Sequence, residues 1–233
     1  MEKKYQILLL ILLFISLSFL SFLFSPFFNI RDFVIHSRSK INEDSLITNL
    51  NQFYGRNMLF IDEKELKNEL LKHNLISSIE LEKAFPSTIH IIIEERRAVA
   101  WIKNNDKKLI FSADGIILNE EKLDKNISLP KIEGYAYLFE NGKIRFPGSL
   151  DKLLSVLSNL ETSFLAKIEK ISYQDNVYKL YLSAGGGVNL GRANNLEEKF
   201  ALLNSILIKN QSEKLEIDYI NLQVTKHPVI KLK

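Results

Sequence analysis

The chain has 233 residues, 46% hydrophobic and 25% charged, with a formal net charge of +3 and no cysteine. That is material for one or two globular domains, and the small positive charge argues against a nucleic-acid face, which needs concentrated basic side chains. The missing thiols exclude disulfides, thiolate zinc sites and cysteine nucleophiles, and suit an oxidising compartment.

After MEKK comes YQILLLILLFISLSFLSFLFSPFFNI, with no charge before Arg31. From Tyr5 to Ser25 a helix rising about 1.5 Å per residue covers roughly 30 Å, the thickness of a hydrocarbon core. The segment is apolar on every side, unlike a core helix with its polar stripe. A cleaved signal peptide has a shorter apolar region and an Ala-x-Ala type site. No alanine precedes Ala84, and only the serines at 16, 18, 21 and 25 could substitute. The expectation is an uncleaved anchor over 5–25, with a cytoplasmic tail at 1–4 and everything beyond Pro26 outside.

A first module is expected over 29–98. IRDFVIH (30–36) is β-branched and reads as a strand. INEDSLITNLNQF places Leu46, Ile47, Leu50 and Phe53 at helical spacing behind Asn42 as a possible cap. Gly55 breaks the chain in YGRNMLFID. A second helix starts at Asp62, where Glu65 completes a capping-box-like pair and Leu66 and Leu70 share the buried face. Strands follow at about 78–85 and 88–95; in the second, Ile89, Ile91 and Ile93 face one way and His90, Ile92 and Glu94 the other. The order β-α-α-β-β makes an α+β module with both helices on one face.

The region 99–233 is richer in strands. LIFSADGIIL (109–118) reads as a hairpin around Asp114-Gly115, and VYKLYLSAGGGVNLG (177–191) as another turning on Gly185–Gly187. Amphipathic helices are expected at 149–164 (Leu150, Leu153, Leu154, Leu157) and 195–209 (Leu196, Phe200, Leu203, Leu207). IDYINLQV and PVIKLK close the chain as strands, with Pro228 at a boundary or an edge.

None of the candidate chemistry outweighs a structural account. The histidines at 36, 73, 90 and 227 lack metal-ligand spacing. AGGGVNLG has neither the GK[ST] ending of a P-loop nor the spacing G-x-G-x-x-G, and suits a turn between strands. Asp114, Glu94 and Glu95 carry no sign of the burial that a general acid or base needs. No hydrolase or zincin motif is present. Asn126-Ile-Ser128 and Asn210-Gln-Ser212 fit the glycosylation triplet, which arises often by chance. The sequence reads as a non-enzyme without metal, cofactor or small-molecule substrate.

Taken together, the anchor, the β-α-α-β-β module and the strand-rich remainder resemble the FtsQ/DivIB family of bacterial cell-division proteins. FNIRDFVIHSRSKI is similar to the opening of the family's POTRA domain, and YGRNMLFIDEKEL to its G-x-N-L-F-x-I-D segment, with Met58 in place and a shorter spacing to Ile61-Asp62. AFPSTIHIIIEERRAVAW (84–101) is similar to F-P-x-T-L-x-I-x-I-x-E-R-x-P-x-A, with Ala98 or Val99 near the family's proline. LPKIEG, VNLGR, EKFALL and HPVIK then fall in the family's order.

The resemblance implies a POTRA domain at 29–98 and a mostly antiparallel β domain with two or more helices at 99–233. It implies a scaffold of the division machinery at the septum, anchored in the inner membrane with its amino terminus cytoplasmic. The implied partners are FtsB-like and FtsL-like single-pass proteins, captured by strand addition on an edge near the carboxy terminus. Carried over by residue, that edge is Pro228, Val229, Ile230, Lys231 and Leu232. Arg192 matches a basic position of the partner-binding region, and a solvated charge before a helix is an equal reading. Gly55-Arg56-Asn57 is a further candidate contact, and Glu95 and Arg96 are expected to hold the domain junction. The alternative is a POTRA-bearing transport component, which needs further modules or a barrel's strands of about ten residues.

Overall fold

The structure, a computed structural model, describes residues 2–37, 43–140, 142–146, 150–213 and 216–233. The chain divides into two compact units, Met1–Arg96 and Arg97–Lys233.

The first unit opens with α1, Glu2–Leu23, whose leucines, isoleucines and phenylalanines are exposed on every side. Mean hydropathy reaches 2.9 over Lys3–Phe28, long and apolar enough to cross a membrane. Beyond it lie β1 (Asp32–His36), α2 (Glu43–Leu50), α3 (Glu63–Leu71), β2 (Ile76–Ala84) and β3 (Thr88–Glu95). The strands run in the order β1-β3-β2, with β1 parallel and β2 antiparallel to β3. Ile89, Ile91 and Ile93 turn to one face and are buried with Leu46, Leu50 and Phe53 of the α2 segment and Leu66 and Leu70 of α3.

Two local expectations change. The first strand starts at Asp32 rather than Ile30, because the Ile30 backbone pairs elsewhere: its N–H donates to the Arg56 carbonyl (2.9 Å) and its carbonyl accepts from Gly55 N–H (2.9 Å). Asp62 does cap α3, accepting from Lys64 N–H at 2.9 Å. Glu65, however, directs its carboxylate to Arg56 at 2.9 Å instead of closing the capping box. The expected Asn42 cap lies outside the described residues.

The second unit contains β4 (Ala98–Asn104), β5 (Lys107–Ser112), β6 (Ile117–Lys122), β7 (Lys131–Glu133), β8 (Leu138–Glu140) and β9 (Lys143–Arg145). Next come α4 (Leu150–Asn159), α5 (Thr162–Leu165), β10 (Ile168–Gln174), β11 (Val177–Leu182), β12 (Gly187–Gly191), α6 (Leu196–Glu213), β13 (Ile217–Asn221) and β14 (Val229–Leu232). Among the described residues, nine strands form one sheet in the order β14-β13-β12-β11-β10-β7-β4-β5-β6, and β8 and β9 pair separately. Both expected hairpins form, β5–β6 and β11–β12. The three-residue β7 runs parallel to both neighbours, β4 and β10, so it joins two largely antiparallel halves.

The leucines of α4 and the apolar stripe of α6 bury against the sheet in a single core with Ile102, Phe111, Ile171, Leu180 and Val188. The helix expected at 149–164 breaks into α4 and α5, because Glu161 takes an extended conformation (φ −65°, ψ 146°) before α5. Two glycines are required by close approach. A side chain at Gly186 (φ +97°) would lie 2.7 Å from the Ile217 carbonyl oxygen, and one at Gly115 (φ +80°) would collide with that of Ile144.

Candidate partner interface

β14 is the last strand of the nine-stranded sheet, and among the described residues only β13 pairs with it. Antiparallel register sets Val229 opposite Asn221, Ile230 opposite Ile220, Lys231 opposite Tyr219 and Leu232 opposite Ile217. Ile220 and Ile217 are core residues, yet their partners Ile230 and Leu232 each remain 44% exposed. Val229, on the other face, is 60% exposed. The apolar layer therefore reaches the sheet edge without being covered.

The sheet's other edge differs in chemistry. β6 carries Asn119, Glu120, Glu121 and Lys122, and ion pairs from Lys107 to Glu120 (2.6 Å) and Lys125 to Glu121 (2.7 Å) flank it. Charges along an edge discourage further strand addition. On β14 only Lys231 is charged, and it is paired with Asp218 of β13 at 2.7 Å. That hydrogen bond holds the Asp218 carboxyl below the usual range and raises Lys231 above its own. Pro228 precedes the strand and lacks an N–H, a position proline tolerates at an edge.

Arg192 directly follows β12, exposed to solvent, and no described residue pairs with its guanidinium. The register Asn189–Asn221–Val229 runs across β12, β13 and β14, which puts Arg192 at the end of the sheet where β14 begins. The structure thus gathers Pro228, Val229 and Arg192 at one end of the strand. At the other end a cavity of about 530 Å³ is lined by Leu182, Leu207, Ile217 and Lys233, among others.

Lys199 of α6 holds the loop that presents Arg192, and it was not singled out from the sequence. Its buried ammonium donates to the carbonyls of Leu190 (2.7 Å) and Arg192 (3.1 Å) and to Asn194 Oδ1 (2.9 Å). Burial pushes its pKa below the ordinary lysine range. The signal was present: Leu196, Lys199, Phe200 and Leu203 share one helical face.

The expected junction residues are held inside the first unit. Glu95 accepts from Ser37 Oγ at 2.6 Å, and Arg96 donates to the carbonyls of Asn74 (2.9 Å) and Ile76. Arg97 turns to the second unit, donating to Thr162 Oγ1 at 3.0 Å. Gly55-Arg56-Asn57 packs on the chain leaving α1, where Met58 N–H donates to the Phe28 carbonyl at 2.8 Å. His36 and His90 stack 5.2 Å apart with Nε2 and Nδ1 at 2.9 Å. Among the described residues no three histidine, aspartate or glutamate side chains converge as a metal site would require.

Residues 28–96 match the family model for the POTRA domain, FtsQ-type, and residues 99–223 that for the cell division protein FtsQ/DivIB, C-terminal. Cell division protein DivIB of Clostridium tetani is 24% identical over 217 residues, covering 89% of this chain and 81% of that protein. DivIB of Clostridium acetobutylicum is 27% identical over 155 residues, covering 66% and 59%. The solved major extracytoplasmic domain of DivIB from Geobacillus stearothermophilus aligns with a TM-score of 0.36 and 17% identity, over 48% of this chain and 92% of that one. With both domains matched in order behind an apolar helix that fits a single-pass membrane protein, the chain belongs to the FtsQ/DivIB family of cell division proteins.

Proposed function

We propose that this chain is a membrane-anchored scaffold of the division machinery that captures an extended segment of a partner as an additional strand on β14. The observation that supports this reading is the contrast between the two sheet edges, one apolar and uncovered, the other charged. A strand laid on β14 gains main-chain hydrogen bonds and covers Ile230 and Leu232, whose half-exposed side chains are each worth about 1 kcal/mol on burial. Arg192, at the end where β14 begins, favours an acidic residue beside the incoming strand.

FtsB-like and FtsL-like single-pass division proteins are the proposed occupants, with α1 anchoring the scaffold in the inner membrane and its second unit outside, at the septum. The scaffold carries out no chemistry in this reading; it raises the local concentration of its partners.

The test uses full-length protein solubilised in detergent from native membranes, with co-purifying partners identified. Val229→Pro with Ile230→Pro deletes two successive N–H donors, one of which points outward, because donors alternate along a strand. Ile230→Glu with Leu232→Glu keeps every donor and removes the apolar cover. Both variants should lose the FtsB-like and FtsL-like proteins, and circular dichroism of the glutamate pair, which leaves the β13–β14 ladder intact, should stay that of the parent. Full retention by the glutamate pair would overturn the β14 assignment.

A further inference from the structure

We infer that the first unit has a lipid-binding lip beside its membrane anchor, built from Phe24, Phe27 and Phe60, which seats that unit on the outer interface of the bilayer. The inference rests on the reading that α1 spans a membrane.

The lip is assembled by contacts between segments 25 to 36 residues apart in the chain. Asn57 Nδ2 donates to the Leu23 carbonyl at 2.7 Å, satisfying one of the acceptors that the last turn of α1 leaves open. The same side chain accepts from Leu59 N–H at 2.9 Å, so Asn57 fixes its own loop and the helix end together. Asn29 and Asn57 form a backbone bridge, flanked by Ile30 N–H donating to the Arg56 carbonyl and Met58 N–H donating to the Phe28 carbonyl. Phe60 is thereby held with its ring stacked on Phe24, centroids 4.8 Å apart and planes at 16°.

Phe24 follows the last residue of α1, so this ring pair is at the level where the span leaves the hydrocarbon core. Stacking does not hide the rings: Phe24 is 63%, Phe60 56% and Phe27 50% exposed. Phe27 continues the surface toward Phe22, 5.9 Å away within the helix. Large apolar rings left exposed within a few residues of the end of a span have a natural cover in the acyl–headgroup boundary, where aromatic side chains accumulate. A folded domain presenting such rings beside its own anchor is tethered at the surface, so lipid contact is favoured by high local concentration.

The absence of native cysteine makes a direct test simple. Single cysteines at Leu13, Phe24, Phe60 and Lys152 in the full-length protein are spin-labelled and reconstituted into vesicles of phosphatidylglycerol and phosphatidylethanolamine, without partners. Depth is read from accessibility to oxygen and to a water-soluble relaxation agent. The label at 60 should lie within about 5 Å of the depth of the label at 24, one helical turn, and Asn57→Ala should return it toward water. A label at 60 as accessible to the aqueous agent as one at Lys152, on the solvent face of α4, overturns the lip. If the label at Leu13 is also aqueous, the anchor reading itself fails; Leu13 deep with 60 aqueous sinks the lip alone. The second outcome would leave a neighbouring membrane protein as the cover for these rings.

Discussion

The ammonium of Lys199 donates to the carbonyl oxygen of Arg192 at 3.1 Å, from a position buried beneath the loop it supports. One proposed binding residue is therefore aimed through its backbone by a lysine that solvent barely reaches. Lys199→Met keeps the aliphatic stem and leaves three acceptors without their donor. Each unsatisfied acceptor costs about 1–3 kcal/mol with partial relief by water, so a loss of about 3 kcal/mol is expected. Thermal unfolding of the second unit should fall by roughly 10 °C. A shift within the noise of the parent would show that the loop needs no such support.

Arg96 and Arg97 are adjacent, but each is bonded within a different unit. Arg96→Ala removes donors to the Asn74 and Ile76 carbonyls and should cost the first unit about 1–2 kcal/mol. Hydrogen exchange should quicken in β2 and β3 and stay unchanged in β10 to β13. Arg97→Ala should do the reverse, near α5. Equal acceleration in both units by either variant would contradict this division of labour.

Much of this organisation was legible in the sequence, and the remainder was not, for physical reasons. The isoleucines of β3 alternate, and the leucines of α4 recur at helical spacing, so local pattern alone located them. Lys199 falls on the same helical period, but a lysine on an apolar face is unusual, so the residue type points to solvent rather than to the core. β7 has three residues, too few for any period to emerge. The pairing of residues 28–30 with 55–58 joins two irregular segments, and neither advertises its partner. That hid the role of Asn57, which composition alone marks only as a loop residue.

Glu133 lies between Lys131 and Lys170, the latter at 3.1 Å. Its hydrogen bond from Lys131 first, and that from Lys170 second, hold its pKa below the usual range. The folded form thus retains its charge to lower pH than the unfolded chain, and the stabilisation is fully present above the unfolded value of about 4.3. It disappears as pH falls through the lowered folded value. Glu133→Gln should melt below the parent at pH 6, with the gap shrinking as the pH is lowered through the acid range. Because the site is about one-third exposed, the gap should be no more than about 1 kcal/mol. A constant gap across that range would refute the linkage.

Gly142 and Gly186 both have positive φ, at +74° and +97°, but only Gly186 has a carbonyl oxygen where a Cβ would go. Alanine at 142 meets open space and should cost about 1 kcal/mol of backbone strain. Alanine at 186 adds the overlap with Ile217 and should cost at least about 3 kcal/mol. Chemical denaturation of the two variants separates strain from collision; equal losses would mean that the β11–β12 turn simply moves aside.

The short central strand also has a bearing on how the second unit assembles in time. On one side, β4, β5 and β6 are successive hairpins, and on the other β10, β11 and β12 are too. Each half can zip up from neighbouring chain, at low loop-closure cost. The seam at β7 closes only when residues 131–133 meet both Trp101 and the 170–172 stretch, the slower non-local event. Nascent chains should therefore pass through a stage with two ordered half-sheets and an open middle, and amide protection at residues 131–133 should arrive last.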